Sequence, residues 1–192
     1  MLIIYAHFDT AGHCGEVLKT VEEGLLAKGK SYEVLDLYAT GFDPILRPEE
    51  MIDRGLSKTD PKIREIQEKI IAEREYVFIY PTWWSNVPAI LKGFYDRVFS
   101  SGFAFQYQKN GFPEGLLKGK HALVITTSGG PTFYQYAVRL RRSILVTTSD
   151  TLEFCGVKTK NLLIGGCVKL DETKKNEIKT KVTRSLGAFI GA

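Results

Sequence analysis

The chain has 192 residues, 44% of them hydrophobic and 25% charged, a composition that excludes a disordered, collagenous or coiled-coil protein. Twenty-six Lys and Arg against 22 Asp and Glu leave a formal charge of +4. These charges are spread along the chain, with no basic arm or stripe that would mark a nucleic-acid binder. Leu2 to Ala6 opens the chain as an apolar run of strand length. Val17, Leu18, Val21 and Leu25 then repeat at helical spacing from about Gly15 to Lys28, and Gly29 reads as the stop. Tyr32 to Leu37 is interrupted by Glu33 and Asp36 and reads as an edge strand. Ile63, Ile66, Ile70 and Ile71 predict a second helix, and Tyr76 to Tyr80 a buried third strand. Pro88 starts a helix carrying Ile90, Leu91, Phe94 and Val98. Ala122 to Ile125 is a fourth strand, and Val138, Leu145 and their neighbours suggest a fourth helix. Asn161 to Ile164 is a fifth strand, followed by a helix with Ile178, Val182, Leu186 and Phe189 on one face.

Strict alternation of strand and helix predicts an α/β fold, a three-layer sandwich with helices on both faces of a parallel sheet. Five strands with the second at an edge point to the order 2-1-3-4-5 in one domain over residues 1–192. Two connections are long, Tyr38 to Asp60 and Ser100 to Gly119, and long loops in compact domains are often functional. Cys14, Cys155 and Cys167 form no CxxC pair and no metal-ligand spacing, so reduced thiols and no metal are expected. No charged segment precedes Leu2 and no apolar run nears the roughly 20 residues of a membrane span. A soluble cytoplasmic protein is expected.

In open parallel sheets ligands bind beyond the carboxyl ends of the strands. After strand one come His7, Phe8, Asp9, Thr10, Ala11, Gly12, His13 and Cys14. A loop entering a helix offers free N–H groups and a positive dipole end, which suit phosphate, and His7, Thr10 and His13 add donors. The glycines match neither GxxxxGK[ST] nor GxGxxG. After strand three come Pro81, Thr82, Trp83, Trp84 and Ser85, with Pro88 beyond. Adjacent tryptophans cannot easily share one core, so at least one lines a surface or pocket, and the backbone between the prolines can present N–H groups to a flat ring. After strand four come Thr126, Thr127, Ser128 and Gly129, small residues that admit a ligand close to the backbone. Tyr134 offers a hydroxyl just past them. An ordinary turn at each of these places remains the alternative.

With the three loops in view, the chain resembles the NAD(P)H:quinone oxidoreductases of the flavodoxin-like fold, the family of DT-diaphorase and modulator of drug activity B. The resemblance runs through nearly the whole chain and is densest from Tyr80 to Phe99, where Pro81, Trp84, Pro88-Ala89, Leu91-Lys92-Gly93 and Arg97-Val98-Phe99 follow the family signature Pro-x-x-Trp…Pro-Ala-x-Leu-Lys-Gly…Arg-Val-Phe. It implies a flavin, FMN or FAD, with NAD(P)H as co-substrate and a quinone or similar small aromatic acceptor, in a homodimer. By resemblance the His7–Cys14 loop holds the flavin phosphate, residues 81–85 follow the ring edge, and residues 126–129 contact its pyrimidine side. Tyr134 is implied as the catalytic hydroxyl near flavin O2. Trp83, Phe105 and Tyr107 are implied as the acceptor pocket, the last two lent by the neighbouring subunit. Two departures stand out. Gly12-His13-Cys14 replaces the usual Ser-Phe-Asn, and Leu140 stands where some relatives have a histidine, with Arg139, Arg141 and Arg142 beside it. A non-enzymatic flavodoxin-type carrier and a flavin-bound ancillary subunit of a transporter are the alternatives, the first disfavoured by the positive charge.

Overall fold

The computed structural model describes residues 1–51 and 59–191, so residues 52–58 of the long Tyr38–Asp60 connection lie outside the described residues. Strands β1 (Leu2–Tyr5), β2 (Glu33–Asp36), β3 (Glu75–Pro81), β6 (His121–Thr127) and β7 (Lys158–Ile164) form one parallel sheet in the order β2-β1-β3-β6-β7. These are the five expected strands in the order 2-1-3-4-5, with the interrupted strand at an edge. Helices α1 (His13–Ala27), α2 (Pro61–Ala72) and α3 (Ala89–Val98) are crossovers, and α6 (Glu172–Ile190) follows the last strand and packs back beside α1.

The pleat explains the layering. Side chains alternate across a strand, so Ile3, Tyr5, Val77, Ile79, Leu123 and Ile125 pack on Val17, Val21 and Leu25 of α1 and Ile178, Val182 and Leu186 of α6. Leu2, Ile4, Tyr76, Phe78 and Tyr80 pack on the other face against Ile63, Ile66 and Ile70 of α2 and Leu91 and Phe94 of α3. Both faces are covered, which is why the central strands read as nearly unbroken apolar runs. The helix ends follow local chemistry. Gly29 stands at φ 63°, with its N–H on Leu26 O and that of Lys30 on Leu25 O. Asp60 accepts from Lys62 N–H ahead of α2, and Asp171 accepts from Lys174 N–H ahead of α6.

Two expectations are corrected. The fourth helix is not one element centred on Val138 to Leu145. Helix α4 spans Thr132–Ala137 and α5 spans Arg142–Leu145, and Leu140 and Arg141 between them have φ of 50° and 55°. Left-handed backbone breaks a helix whatever its apolar spacing. A π-turn, Thr148–Glu153, then leads to β7. The Ser100–Gly119 connection is not plain loop either, because β4 (Phe105–Tyr107) and β5 (Pro113–Gly115) pair as an antiparallel hairpin. Among the described residues no helix is long and apolar enough to cross a membrane.

Candidate functional site at the carboxyl ends of the strands

Helix α1 starts at His13, so Gly12 is its N-cap and Cys14 lies in its first turn. Glu16 N–H reaches back to Gly12 O at 3.0 Å. The N–H groups of Gly12, His13, Cys14 and Gly15 find no acceptor among the described residues, as the start of a helix dictates. The loop can fold this tightly because position 15 has no side chain. A Cβ there would lie 1.7 Å from the Thr10 carbonyl oxygen.

These N–H groups open on a cavity of about 280 Å³ lined by His7, Asp9, Gly12, His13, Cys14, Pro81, Thr82, Trp83, Thr127, Ser128, Gly129 and Cys167. Ten of the residues expected at the site therefore meet in one hollow. Larger hollows exist, one of about 800 Å³ at the amino ends of the strands near Glu75, His121 and Lys158 and one of about 470 Å³ beside α3. Neither collects the carboxyl ends of the strands, so size does not locate the site.

The floor is a polar network. Thr82 Oγ1 lies 3.1 Å from Thr126 Oγ1 and donates to Ser143 Oγ at 2.9 Å, while Tyr80 OH donates to the Ser143 carbonyl at 2.8 Å. Gln135 Nε2 donates to Ser128 Oγ at 2.6 Å. The Thr126, Thr127 and Ser128 side chains are buried and engaged with one another's neighbours, so they shape the floor rather than reach upward. Cys14 Sγ lies 3.2 Å from Thr127 Oγ1. Burial, reinforced by Cys167 and Asp9, pushes the Cys14 thiol up to about 12 despite the Thr127 bond, so Cys14 faces the cavity with its backbone and not as a thiolate. His13 Nε2 is buried without a hydrogen-bond partner among the described residues.

The Trp83–Asn86 segment closes on itself, with Trp83 N–H on Asn86 O and Asn86 N–H on Trp83 O, and with Trp84 and Ser85 at φ of 53° and 60°. Thr82 N–H is taken by Thr127 O at 2.7 Å. Within residues 82–86, the Trp84 and Ser85 N–H groups alone are left without acceptors among the described residues. Trp83 lines the cavity at 36% exposure, whereas the Trp84 side chain is fully exposed at the turn tip. Beside them His7 stacks on Phe8 at 4.5 Å, and Phe8 leans on both Trp83 and Tyr38 at 6.1 Å.

The remaining expected residues stand apart from the cavity lining. Thr10 is exposed on the loop, and Thr126 lies beneath the floor. Tyr134 lies on α4 beyond Gly130, with the Arg139 guanidinium 5.4 Å above its ring. Arg141 lies likewise over Tyr136, and all three arginines are exposed. Phe105 and Tyr107 form an edge-to-face pair on the hairpin, and Phe105 also meets Phe154 at 5.0 Å. Asp9 and Cys167 line the cavity without having been singled out. Asp9 sits inside the examined loop, and Cys167 follows the fifth strand, where the same strand-end rule applies.

A family profile described as flavodoxin-like fold matches residues 1–186. The chain is 31% identical over 179 residues to the ribosyldihydronicotinamide dehydrogenase [quinone] of Pongo abelii, covering 82% of this chain and 77% of that one. The chain belongs to the NAD(P)H:quinone oxidoreductase family of the flavodoxin-like fold. The NAD(P)H:quinone oxidoreductase of Methanothermobacter marburgensis shares that architecture at 30% identity and a TM-score of 0.84, over 96% of this chain and 94% of that one. An FMN-dependent NADH-azoreductase of Bacillus anthracis, solved in complex with FMN, is similar in fold at 24% identity and a TM-score of 0.80, over 97% of each chain. Family membership makes this chain an oxidoreductase and explains the 80–99 signature. Gly93 and Arg97 are one helical turn apart on α3. A Cβ on Gly93 would lie 2.1 Å from Pro44 O, and Arg97 bonds Glu50, Asp60 and the Asp43 carbonyl. The signature glycine and arginine thus dock Asp43, Pro44, Glu50 and Asp60.

Proposed function

We propose that the chain is a flavin-dependent NAD(P)H oxidoreductase that reduces quinones or similar flat aromatic acceptors. One observation carries this reading. The free N–H groups of the first α1 turn and the Trp83 ring face the same cavity, which suits a ligand with an anion at one end and a flat ring at the other. The residues fit FMN or FAD on both counts, and open space lies over Gly129, where a Cβ would meet nothing within 4 Å. Bound there, a flavin supplies the hydride chemistry between nicotinamide and acceptor.

The chain's own groups then divide the remaining work. Gly12 to Gly15 and the α1 dipole hold the phosphate charge, with His7, Thr10 and His13 as neighbouring donors. The Thr82–Thr126–Ser143 hydroxyl network keeps the floor rigid. The Trp84 and Ser85 N–H groups would be the donors for the polar edge of a bound ring, with Pro81 to Ser85 along it. The Tyr134 hydroxyl donates where negative charge gathers on reduction, so a fixed donor there lowers the barrier. Trp83, with Phe105 and Tyr107 of a second copy, forms an apolar slot that nicotinamide and acceptor occupy in turn, which gives ping-pong kinetics and loose acceptor specificity. The net positive charge suits an anionic nicotinamide nucleotide. The free thiols suit the reducing cytoplasm.

The test is the absorbance spectrum of the purified protein, identification of the flavin released on denaturation, and oxidation of NADH and NADPH with and without menadione. A yellow protein with menadione-dependent turnover is expected. A colourless protein that takes up neither FMN nor FAD refutes the reading, and a yellow one without turnover assigns it to electron carriage.

A further inference from the structure

The break between α4 and α5 concentrates positive charge. Arg139, Arg141 and Arg142 fall within four residues, and residues 115–149 contain no Asp or Glu. Among the described residues none of the three forms an ion pair. The backbone between them is strained, because Leu140 and Arg141 stand at φ of 50° and 55° without being glycine. Strain of this kind persists only where the surroundings impose it, and it gathers at functional segments. Here both ends of the break are fastened to the cavity floor. Gln135 Nε2 donates to Ser128 Oγ on one side, and on the other Ser143 accepts from Thr82 Oγ1 and Tyr80 OH. Two of the side chains are held as well. The Arg139 guanidinium lies 5.4 Å from the centre of the Tyr134 ring, and that of Arg141 lies 5.7 Å from the centre of the Tyr136 ring. Tyr134 in turn lies 3.5 Å from the place of a Cβ on Gly130, next to Gly129 of the cavity lining. Arg139 therefore stands across one tyrosine ring from the Gly129–Gly130 turn, with Phe133, Val138 and Leu140 exposed around it.

We propose that Arg139 and Arg141 select acceptors carrying a fixed negative charge, a carboxylate or sulfonate on a flat ring, over neutral acceptors of the same shape. This rests on the oxidoreductase reading above. A guanidinium laid over an aromatic face keeps its N–H edge free, and that planar fork matches two oxygens of one oxyanion. Both guanidiniums are ordered before a ligand arrives, so less freedom is lost on binding. In turnover NAD(P)H and a proton supply two electrons and two protons, and the quinone leaves as the hydroquinone. The sulfonate is unchanged throughout, so it reports recognition and not chemistry. An exposed charge pair contributes about threefold in affinity, hence about tenfold for two. Exposed pairs are also screened by salt.

The experiment is calorimetric titration of the purified protein with menadione and with a menadione sulfonate bearing its anion on the benzenoid ring. No nicotinamide nucleotide is present, because it is itself an anion. The parent is compared with the double variant Arg139→Gln, Arg141→Gln and with Arg139→Lys, Arg141→Lys, and kcat and KM for both acceptors follow at saturating NADPH. The glutamine variant is expected to bind the sulfonate about tenfold more weakly and to raise its KM by a similar factor, with kcat and both menadione constants unchanged. The lysine variant, which keeps the charges, retains most of the preference. In the parent the sulfonate loses affinity between about 20 mM and about 500 mM NaCl while menadione does not. Unchanged sulfonate binding in the glutamine variant overturns the proposal. So do equal losses for both acceptors, which mark a structural role for the break, and a lysine variant as weak as the glutamine one. A parent that reduces neither acceptor with NADH or NADPH refutes the oxidoreductase reading itself, a different failure from a parent that reduces both alike whatever stands at positions 139 and 141.

Discussion

Replacing Arg97 with methionine is expected to be among the most destabilising single changes in this chain. The Arg97 side chain is 3% exposed. Its Nη2 donates to Glu50 Oε1 at 2.8 Å and to Asp60 Oδ2 at 3.1 Å, Nε donates to Glu50 at 3.1 Å, and Nη1 donates to the Asp43 carbonyl at 2.6 Å. Methionine keeps most of the packing volume, so the loss is electrostatic. Asp60, which is partly exposed and keeps its bond from Lys62 N–H, loses little. Glu50 loses most, because its side chain is 8% exposed and, among the described residues, only Arg47 N–H still reaches it. Stranding a buried charge in this way costs about 3–5 kcal/mol. For a chain of this length that is a fall in Tm of roughly 6–20 °C, at about 2–4 °C per kcal/mol. Urea unfolding at pH 7, followed by circular dichroism at one fixed flavin concentration, measures it. Neutralising the stranded group restores part of the loss, so Arg97→Met with Glu50→Gln should be more stable than Arg97→Met alone. A loss below about 1 kcal/mol, or strict additivity in the double variant, refutes the reasoning. The acid limb gives a second check. The Lys62 N–H bond, and after it Arg97, hold the Asp60 carboxyl below its ordinary range. Its folded value is the lower one, so its stabilisation is complete above about pH 4 and is lost as pH falls through the folded value. Removing Arg97 should flatten that loss.

Gly15→Ala is expected to open the β1–α1 loop, at about 1–3 kcal/mol, because its methyl would collide with the Thr10 carbonyl. The ratio of flavin to protein after gel filtration should collapse, and full retention would remove the argument from close approach. Burial pushes the thiols of Cys14 and Cys155 up to about 12, so at pH 8 native protein should leave both unalkylated by iodoacetamide for hours and release them on denaturation. Rapid native labelling of Cys14 would show that the first turn of α1 opens. Tyr134→Phe is expected to slow both half-reactions, by an amount approaching 10²-fold in stopped-flow absorbance. Unchanged rates would take the hydroxyl out of the mechanism.

The sheet was legible because both of its faces are buried. Tyr76 to Tyr80 and Ala122 to Ile125 carry apolar side chains to two cores at once, and that leaves an unbroken run in the sequence. The cavity of the candidate site was legible in position for a related reason: the strand-end rule needs only the strand order. What escaped the reading was set by backbone geometry rather than by side-chain period. Val138 to Leu145 keeps helical spacing, yet Leu140 and Arg141 are left-handed and Arg141 N–H bonds Gln135 O at 2.9 Å. No residue there announces the break as a glycine would. The β4–β5 hairpin was hidden because Phe105–Tyr107 and Pro113–Gly115 are only three residues each, too short for a period of two to stand out.

The 80–99 signature carries the sharpest lesson, because its two halves act at different places. Pro81 to Trp83 line the cavity proposed to take the flavin. Gly93 and Arg97 face away from it and fasten Asp43, Pro44, Glu50 and Asp60 to α3. A motif match weights both halves alike, although only the first can bear on chemistry directly. Substitutions in the second half should therefore lower stability first and activity only through it, with KM and kcat of the folded fraction unchanged. The contrast between Arg97→Met and Trp83→Ala in one assay would separate the part of the signature that builds the fold from the part that works on substrate.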